Sequence, residues 1–105
     1  MCEVITKHAR KRVHSRARVS GDMVGEVVQK AFRRGLRHNQ TQGELRRFCD
    51  RLYLSQKQAN NIRVYNKVVY LFRGKKLLTV INLPKELIQI EQQIRHERKG
   101  KINES

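Results

Sequence analysis

Carboxylates are scarce in this chain: nine Asp and Glu stand against 24 Lys and Arg in 105 residues, a formal charge of +15. The acids are also scattered singly, as Glu3, Asp22, Glu26, Glu44, Asp50, Glu86, Glu91, Glu97 and Glu104. Hard divalent cations need several oxygen ligands together, so metal-dependent nuclease chemistry is not expected. Only two cysteines occur, Cys2 and Cys49, and the four histidines are isolated from them and from one another, which leaves no zinc-ligand spacing. Cys49 falls among apolar positions and reads as a buried thiol rather than half of a disulfide. No GK[ST] phosphate loop and no GxSxG elbow are present, which removes nucleotide hydrolysis and serine-hydrolase chemistry, and no cofactor is expected. No apolar run is long enough to span a bilayer and the N-terminus lacks the apolar core of a secretory signal, so a soluble, cytoplasmic protein without a membrane partner is expected. Internal repeats and low-complexity blocks are missing too.

What remains is positive charge on a chain with 38% apolar residues. That is enough for one modest core, and we take residues 1–99 as a single basic domain and 100–105 as a flexible tail. A strongly basic surface makes nucleic acid the default partner, because each Lys or Arg near a phosphate releases condensed counterions.

Hydrophobic periodicity gives helices first and strands later. After a β-prone pair, Val4 and Ile5, Thr6 is placed to cap a helix with the small apolar stripe Ala9, Val13 and Ala17. Ser20 is placed to cap a second, with Met23, Val24, Val27, Val28, Ala31 and Phe32 facing inward and Gly35 ending it. "TQGE", Thr41 to Glu44, has capping-box spacing for a third helix, whose inner face is Leu45, Phe48, Cys49 and Leu52. "IRVY", "KVVYLF" and "KLLTVINL" follow, separated by "NK" and "RGK", as three antiparallel strands. Pro84 suits the first turn of a last helix carrying Leu87, Ile90 and Ile94. The expected class is α+β: two or three N-terminal helices, a three-stranded or four-stranded antiparallel sheet, and a C-terminal helix.

The most concentrated charge lies in "ITKHARKRVHSRARVS", where His8, Arg12 and Arg16 recur every four residues beside the apolar stripe. Cleavage of RNA without a metal needs only a proton acceptor, a proton donor and cations, because the ribose 2′-hydroxyl is the nucleophile. An imidazole on such a ladder fits that need. The same spacing also suits a solvated face, with His8 merely bonding a neighbouring strand. Lys7, Arg10, Lys11 and Arg18 spread over the rest of the helix as phosphate contacts. Further cations come from Arg33, Arg34 and Arg37, from Arg46, Arg47 and Arg51, and from Arg63, Lys75 and Lys76. Strand alternation allows Arg63, Tyr65, Tyr70 and Thr79 to share one sheet face, although Tyr and Thr are ordinary strand residues as well.

"ITKHARKR", with "NNIRVYNKVVYLF" and "KLLTVINLP" further on, resembles small bacterial and phage proteins related to RelE-like and colicin-like ribonuclease toxins. The resemblance rests on His8, Ala9 and Arg12 at one end and Tyr70 and Thr79 at the other, under half of the chain. It implies RNA as substrate, cleavage without metal, catalytic roles for His8, Arg12, Tyr70 and Thr79, and a site between the first helix and the sheet. The sequence departs from the pattern in an extra basic helix, "ELRRFCDRLYL", which allows a scaffold that binds without cutting.

The leading expectation is therefore a nucleic-acid-binding protein, RNA favoured over DNA, with endoribonuclease activity as a subordinate claim. Two alternatives stay open. In a winged helix-turn-helix, Gln42, Arg46, Arg47 and Arg51 would form a recognition helix and "RGKK" a wing. The other is a non-catalytic, phage-type inhibitor or adaptor acting on a nucleoprotein complex or another protein partner.

Overall fold

The structure, a computed structural model, describes the backbone of residues 4–104 and the side chains of residues 5–96. Cys2 and Glu3 lie outside the described residues. Strand β1 (Val4–Ile5) leads directly into helix α1 (Lys7–Arg16), where the Thr6 hydroxyl oxygen accepts a hydrogen bond from the Ala9 N–H at 3.1 Å. This satisfies one of the otherwise unpaired N-terminal donors. Only Ala9 and Val13 of α1 are buried, and side chains that small let the helix backbone approach the sheet closely.

Helix α2 (Val24–Arg34) starts later than Ser20 indicates: a 3₁₀ turn at Gly21–Met23 intervenes, the Ser20 hydroxyl makes no cap bond, and Met23 is left exposed. The expected capping box of the third helix, α3 (Gly43–Ser55), is also corrected. Gln42 is the cap position, while the buried Thr41 hydroxyl donates to the His38 carbonyl at 2.6 Å. The hydroxyl is thus consumed by the 3₁₀ turn at His38–Gln40 before the helix begins.

Strands β2 (Asn61–Tyr65), β3 (Val68–Arg73) and β4 (Lys76–Asn82) form the antiparallel meander read from the sequence. Its first turn holds Asn66 and Lys67 at φ 48° and 70°, the left-handed pair that a two-residue hairpin needs. Strand β1 joins the other edge in parallel, Val4 against Lys76 and Ile5 against Leu77, giving the order β1-β4-β3-β2. Together these elements make an α+β domain.

Helices cover both faces. On one, α1 and α2 pack over Val68, Tyr70, Phe72, Leu77 and Val80, with Phe32 edge-on to Phe72 at 5.0 Å between ring centroids. On the other, α3 and helix α4 (Lys85–Glu104) pack over Ile62, Val64, Val69 and Leu71. Burial on both sides explains why "VVYLF" is a continuous apolar run rather than an alternating one.

The chain changes faces between α2 and α3 at Gly35. A Cβ there would lie 2.5 Å from the Ala31 carbonyl oxygen and 2.9 Å from the Arg63 Cβ, so only glycine fits this close crossing of the β2 edge. Leu36 then exchanges two backbone hydrogen bonds with Val64, at 2.8 and 3.0 Å, and closes that edge. In α4 the buried Glu91 accepts bonds from the Lys67 N–H at 3.3 Å and from Arg95 at 3.2 Å, fastening the helix to the β2–β3 turn. The helical backbone of α4 passes through Gly100 and on to Glu104, whereas the sequence boundary was drawn at 99. One helical glycine costs only about 1 kcal/mol relative to alanine and does not by itself end a helix.

Candidate nucleic-acid interface

Because β1 covers β4 only at Lys76 and Leu77, the rest of the β4 edge is free for α1 to lie against. The Arg16 guanidinium donates to the Val80 carbonyl at 2.9 Å and fixes the helix there. His8, Arg12 and Arg16 consequently project past the strand edge into a cleft of about 680 Å³. Thr79, Leu78 and Ile81, with the fully buried Leu71 beneath them, form its floor, and residues Ser55 to Ala59, at the end of α3, form its opposite wall. Four groups of cationic type, His8, Arg12, Arg16 and Lys57, line this cleft and, among the described residues, no carboxylate does.

The floor owes its shape to an irregularity in β4. Leu71 pairs with Thr79 and Phe72 with Leu77, which leaves Leu78 unpaired as a β-bulge. A bulge locally breaks the strict in–out alternation, and here consecutive residues Leu78 and Thr79 both reach the cleft. The opposite wall is fixed by backbone bonds: the Gln56 N–H donates to the Leu52 carbonyl at 2.7 Å and the Ala59 N–H to the Gln56 carbonyl at 2.9 Å. Next to it, the Asn60 side-chain oxygen accepts from the Gly74 N–H at 2.7 Å and the Asn61 amide donates to the Gly74 carbonyl at 3.0 Å.

Three residues named by the resemblance, His8, Arg12 and Thr79, are thus brought together, and Arg16 joins them. Tyr70 is not. Its pairing with Arg63 and Val80 puts it on the α1/α2 face, the reverse of the face that carries Thr79, and it is 1% exposed. Burial drives its hydroxyl upward from the ordinary phenol range, with Tyr65 adding to the effect, so it is a core side chain and not a proton donor for the cleft. Arg63 is corrected in the same way. At 8% exposure its guanidinium donates to the carbonyls of Phe32, at 3.1 Å, and Ile62, at 3.3 Å, and stands over the Phe32 ring. It holds the end of α2 and is not a phosphate contact; burial, then Arg37, lowers its pKa.

The remaining basic residues are distributed around the molecule. Lys7, Arg10 and Lys11 lie on the other flank of α1, where with His14 they border a smaller groove of about 310 Å³ against Gly21 and Val24. Arg18 follows α1 in a left-handed conformation, φ 56°. Arg33, Arg34 and Arg37 cluster where α2 meets the β2 edge, Lys75 and Lys76 at the β3–β4 turn. On α3, Arg46 and Arg51 are exposed, and Arg47 is engaged by Glu44 at 3.0 Å.

Helices α2 and α3 lie on opposite faces of the sheet, so they do not form the packed pair that a helix-turn-helix requires. The winged-helix alternative fails on that placement. Sequence reasoning missed Lys57 and its neighbours Gln56 and Gln58. The one available signal was that "SQKQANN" is polar without being a tight turn. Among the described residues, no three His, Cys, Asp or Glu side chains gather as a metal site. No helix there is long and apolar enough to cross a membrane. Comparison with protein-family models, curated proteins and solved structures produced no match.

Proposed function

We propose that the protein binds RNA, in the cytoplasm, through the cleft between α1 and the end of α3. The observation that carries this reading is the concentration of Arg12, Arg16, Lys57 and His8 around a concave surface to which no carboxylate of the described residues contributes. Convergent cations in a depression focus potential more strongly than the same charges on a convex surface. Arg12 and Lys57 come to the cleft from different elements and together act as the phosphate clamp. Arg16 shares its guanidinium between the cleft and Val80.

Cleavage is the subordinate proposal. Histidine is the side chain that most often serves as general base, and His8 is the imidazole in the cleft. It would accept the proton of a ribose 2′-hydroxyl while Arg12 stabilises charge on the phosphate. With Tyr70 in the core, the leaving oxygen would take its proton from Lys57 or from water. RNA held within a larger nucleoprotein complex would meet the same surface.

Titrating labelled RNA and DNA at several salt concentrations tests the binding proposal. Arg12→Ala and Lys57→Ala should each weaken binding and flatten the slope of log K against log salt by about 1. If both leave binding intact while Arg46→Ala or Arg51→Ala weakens it, the cleft is not the interface. Incubation of RNA in EDTA with the native chain and with His8→Ala tests cleavage: equal products from both, or none from either, reject it.

A further inference from the structure

Beyond phosphate binding, the cleft combines three different surfaces. Arg12, Arg16 and His8 form a cationic side, the partly buried Leu78 and Ile81 an apolar floor, and Gln56 and Gln58, on either side of Lys57, an amide wall. Neither glutamine side chain has a hydrogen-bond partner among the described residues, although the backbone that carries them is held by the Gln56–Leu52 and Ala59–Gln56 bonds. Two amides on a fixed turn, each offering a donor and an acceptor side by side, match the edge of a nucleobase. The half-buried Leu78, pushed into the cleft by the bulge, offers an apolar seat for the face of the base.

We propose that the cleft takes an unpaired nucleotide whose base lies on the Leu78 and Ile81 floor, where Gln56 and Gln58 read its edge and make binding depend on base identity. This rests on the RNA-binding reading and adds strandedness and selectivity to it. A paired base cannot leave its stack to enter a depression of about 680 Å³ without being unpaired first. The cations then set the strength of binding and the glutamines set its preference. Floor contacts replace the stacking on Phe, Tyr or Trp that single-strand binders commonly use, since none of these lines the cleft among the described residues.

The test measures affinity of the full chain for single-stranded RNA hexamers of A, U and C and for an RNA duplex of equal length, at one salt concentration. The native chain should prefer one hexamer over the weakest by about fivefold or more, the low end of a bidentate base contact, and should bind single strands more tightly than the duplex. A Gln56→Ala/Gln58→Ala variant, checked for native circular dichroism, should bring the three hexamers within about twofold of one another while the weakest keeps its affinity. Arg12→Ala should instead weaken all three in parallel. Equal affinity of the native chain for the three hexamers overturns the proposal, as does a preference that survives the double substitution or a duplex that binds as well as the single strands. In those cases RNA binding itself stands. Failure of every RNA to bind, or binding indifferent to Arg12→Ala, overturns the RNA-binding reading and this proposal with it.

Discussion

Replacing Tyr70 by phenylalanine removes a single oxygen from the middle of the α1/α2 layer and separates a structural role from a catalytic one. The Tyr70 ring is 1% exposed, packed with Phe72, Val80 and the small stripe of α1, and its hydroxyl has no hydrogen-bond partner among the described residues. A buried polar group without a partner carries a desolvation penalty of about 1–3 kcal/mol, and phenylalanine removes it while keeping nearly all of the packing. Tyr70→Phe should therefore leave stability unchanged or raise it by about 1 kcal/mol, equivalent to a rise in Tm of about 4–8 °C for a domain of this size. Tyr70→Ala, which empties the same space, should cost about 3–5 kcal/mol. Urea denaturation followed by circular dichroism reads both values, and RNA affinity and cleavage are measured on the same Tyr70→Phe sample. A variant that is folded and stable yet loses RNA affinity or cleavage refutes the assignment of Tyr70 to the core. A loss of stability beyond 1 kcal/mol would show that the hydroxyl has a partner the packing argument omits.

Gly35→Ala should destabilise by about 1–3 kcal/mol in the same urea assay, because its Cβ meets the Ala31 backbone and the Arg63 side chain, neither of which can give without moving α2 or β2. Arg16→Ala removes the bond to Val80 and a cleft cation at once. It should lower stability by about 1 kcal/mol and weaken RNA binding at low salt, whereas Arg16→Lys should recover binding more fully than stability. Burial, with Asp50 second, pushes the Cys49 thiol up to about 11 from its ordinary value of 9.0. Below pH 9 both folded and unfolded chains keep the thiol proton. As the pH rises from 9 to about 11 the unfolded chain releases it first, so stability falls across that window, and Cys49→Ala should show a smaller fall between pH 8.5 and 10.5.

The sequence carried the element order because its signals were local. Ala9 and Val13 at an interval of four, Thr6 ahead of them, and the β-branched runs split by "NK" and "RGK" all report on neighbours within a few residues. It also brought His8, Arg12 and Thr79 together, through a resemblance rather than through periodicity. The errors fell where long-range placement decides. Arg63 reads as a surface cation until the α2 terminus is packed above it, and Tyr70 and Thr79 read as face-mates until the bulge at Leu78 resets the alternation. Register and bulges depend on pairing between distant segments, which no local pattern encodes. Lys57, Gln56 and Gln58 were invisible for a related reason: they become one wall of a cleft only when the end of α3 is brought opposite a helix some forty residues earlier.

The crossing at Gly35 and Leu36 has a bearing on how this protein would fail. With Val64 already bonded to Leu36, the β2 side of the sheet is shut to any added strand. The opposite side is guarded past Leu77 by α1, held to Val80 through Arg16. Lifting α1 therefore exposes backbone able to recruit another chain in the same movement that takes His8, Arg12 and Arg16 out of the cleft. On the proposed reading, a polyanion that bridged Arg12 and Lys57 would hold α1 down and so protect the strand edge from self-association. Solubility under stress and occupancy of the cleft would then both depend on the seating of α1, and heating the chain with and without RNA while following light scattering would register their coupling.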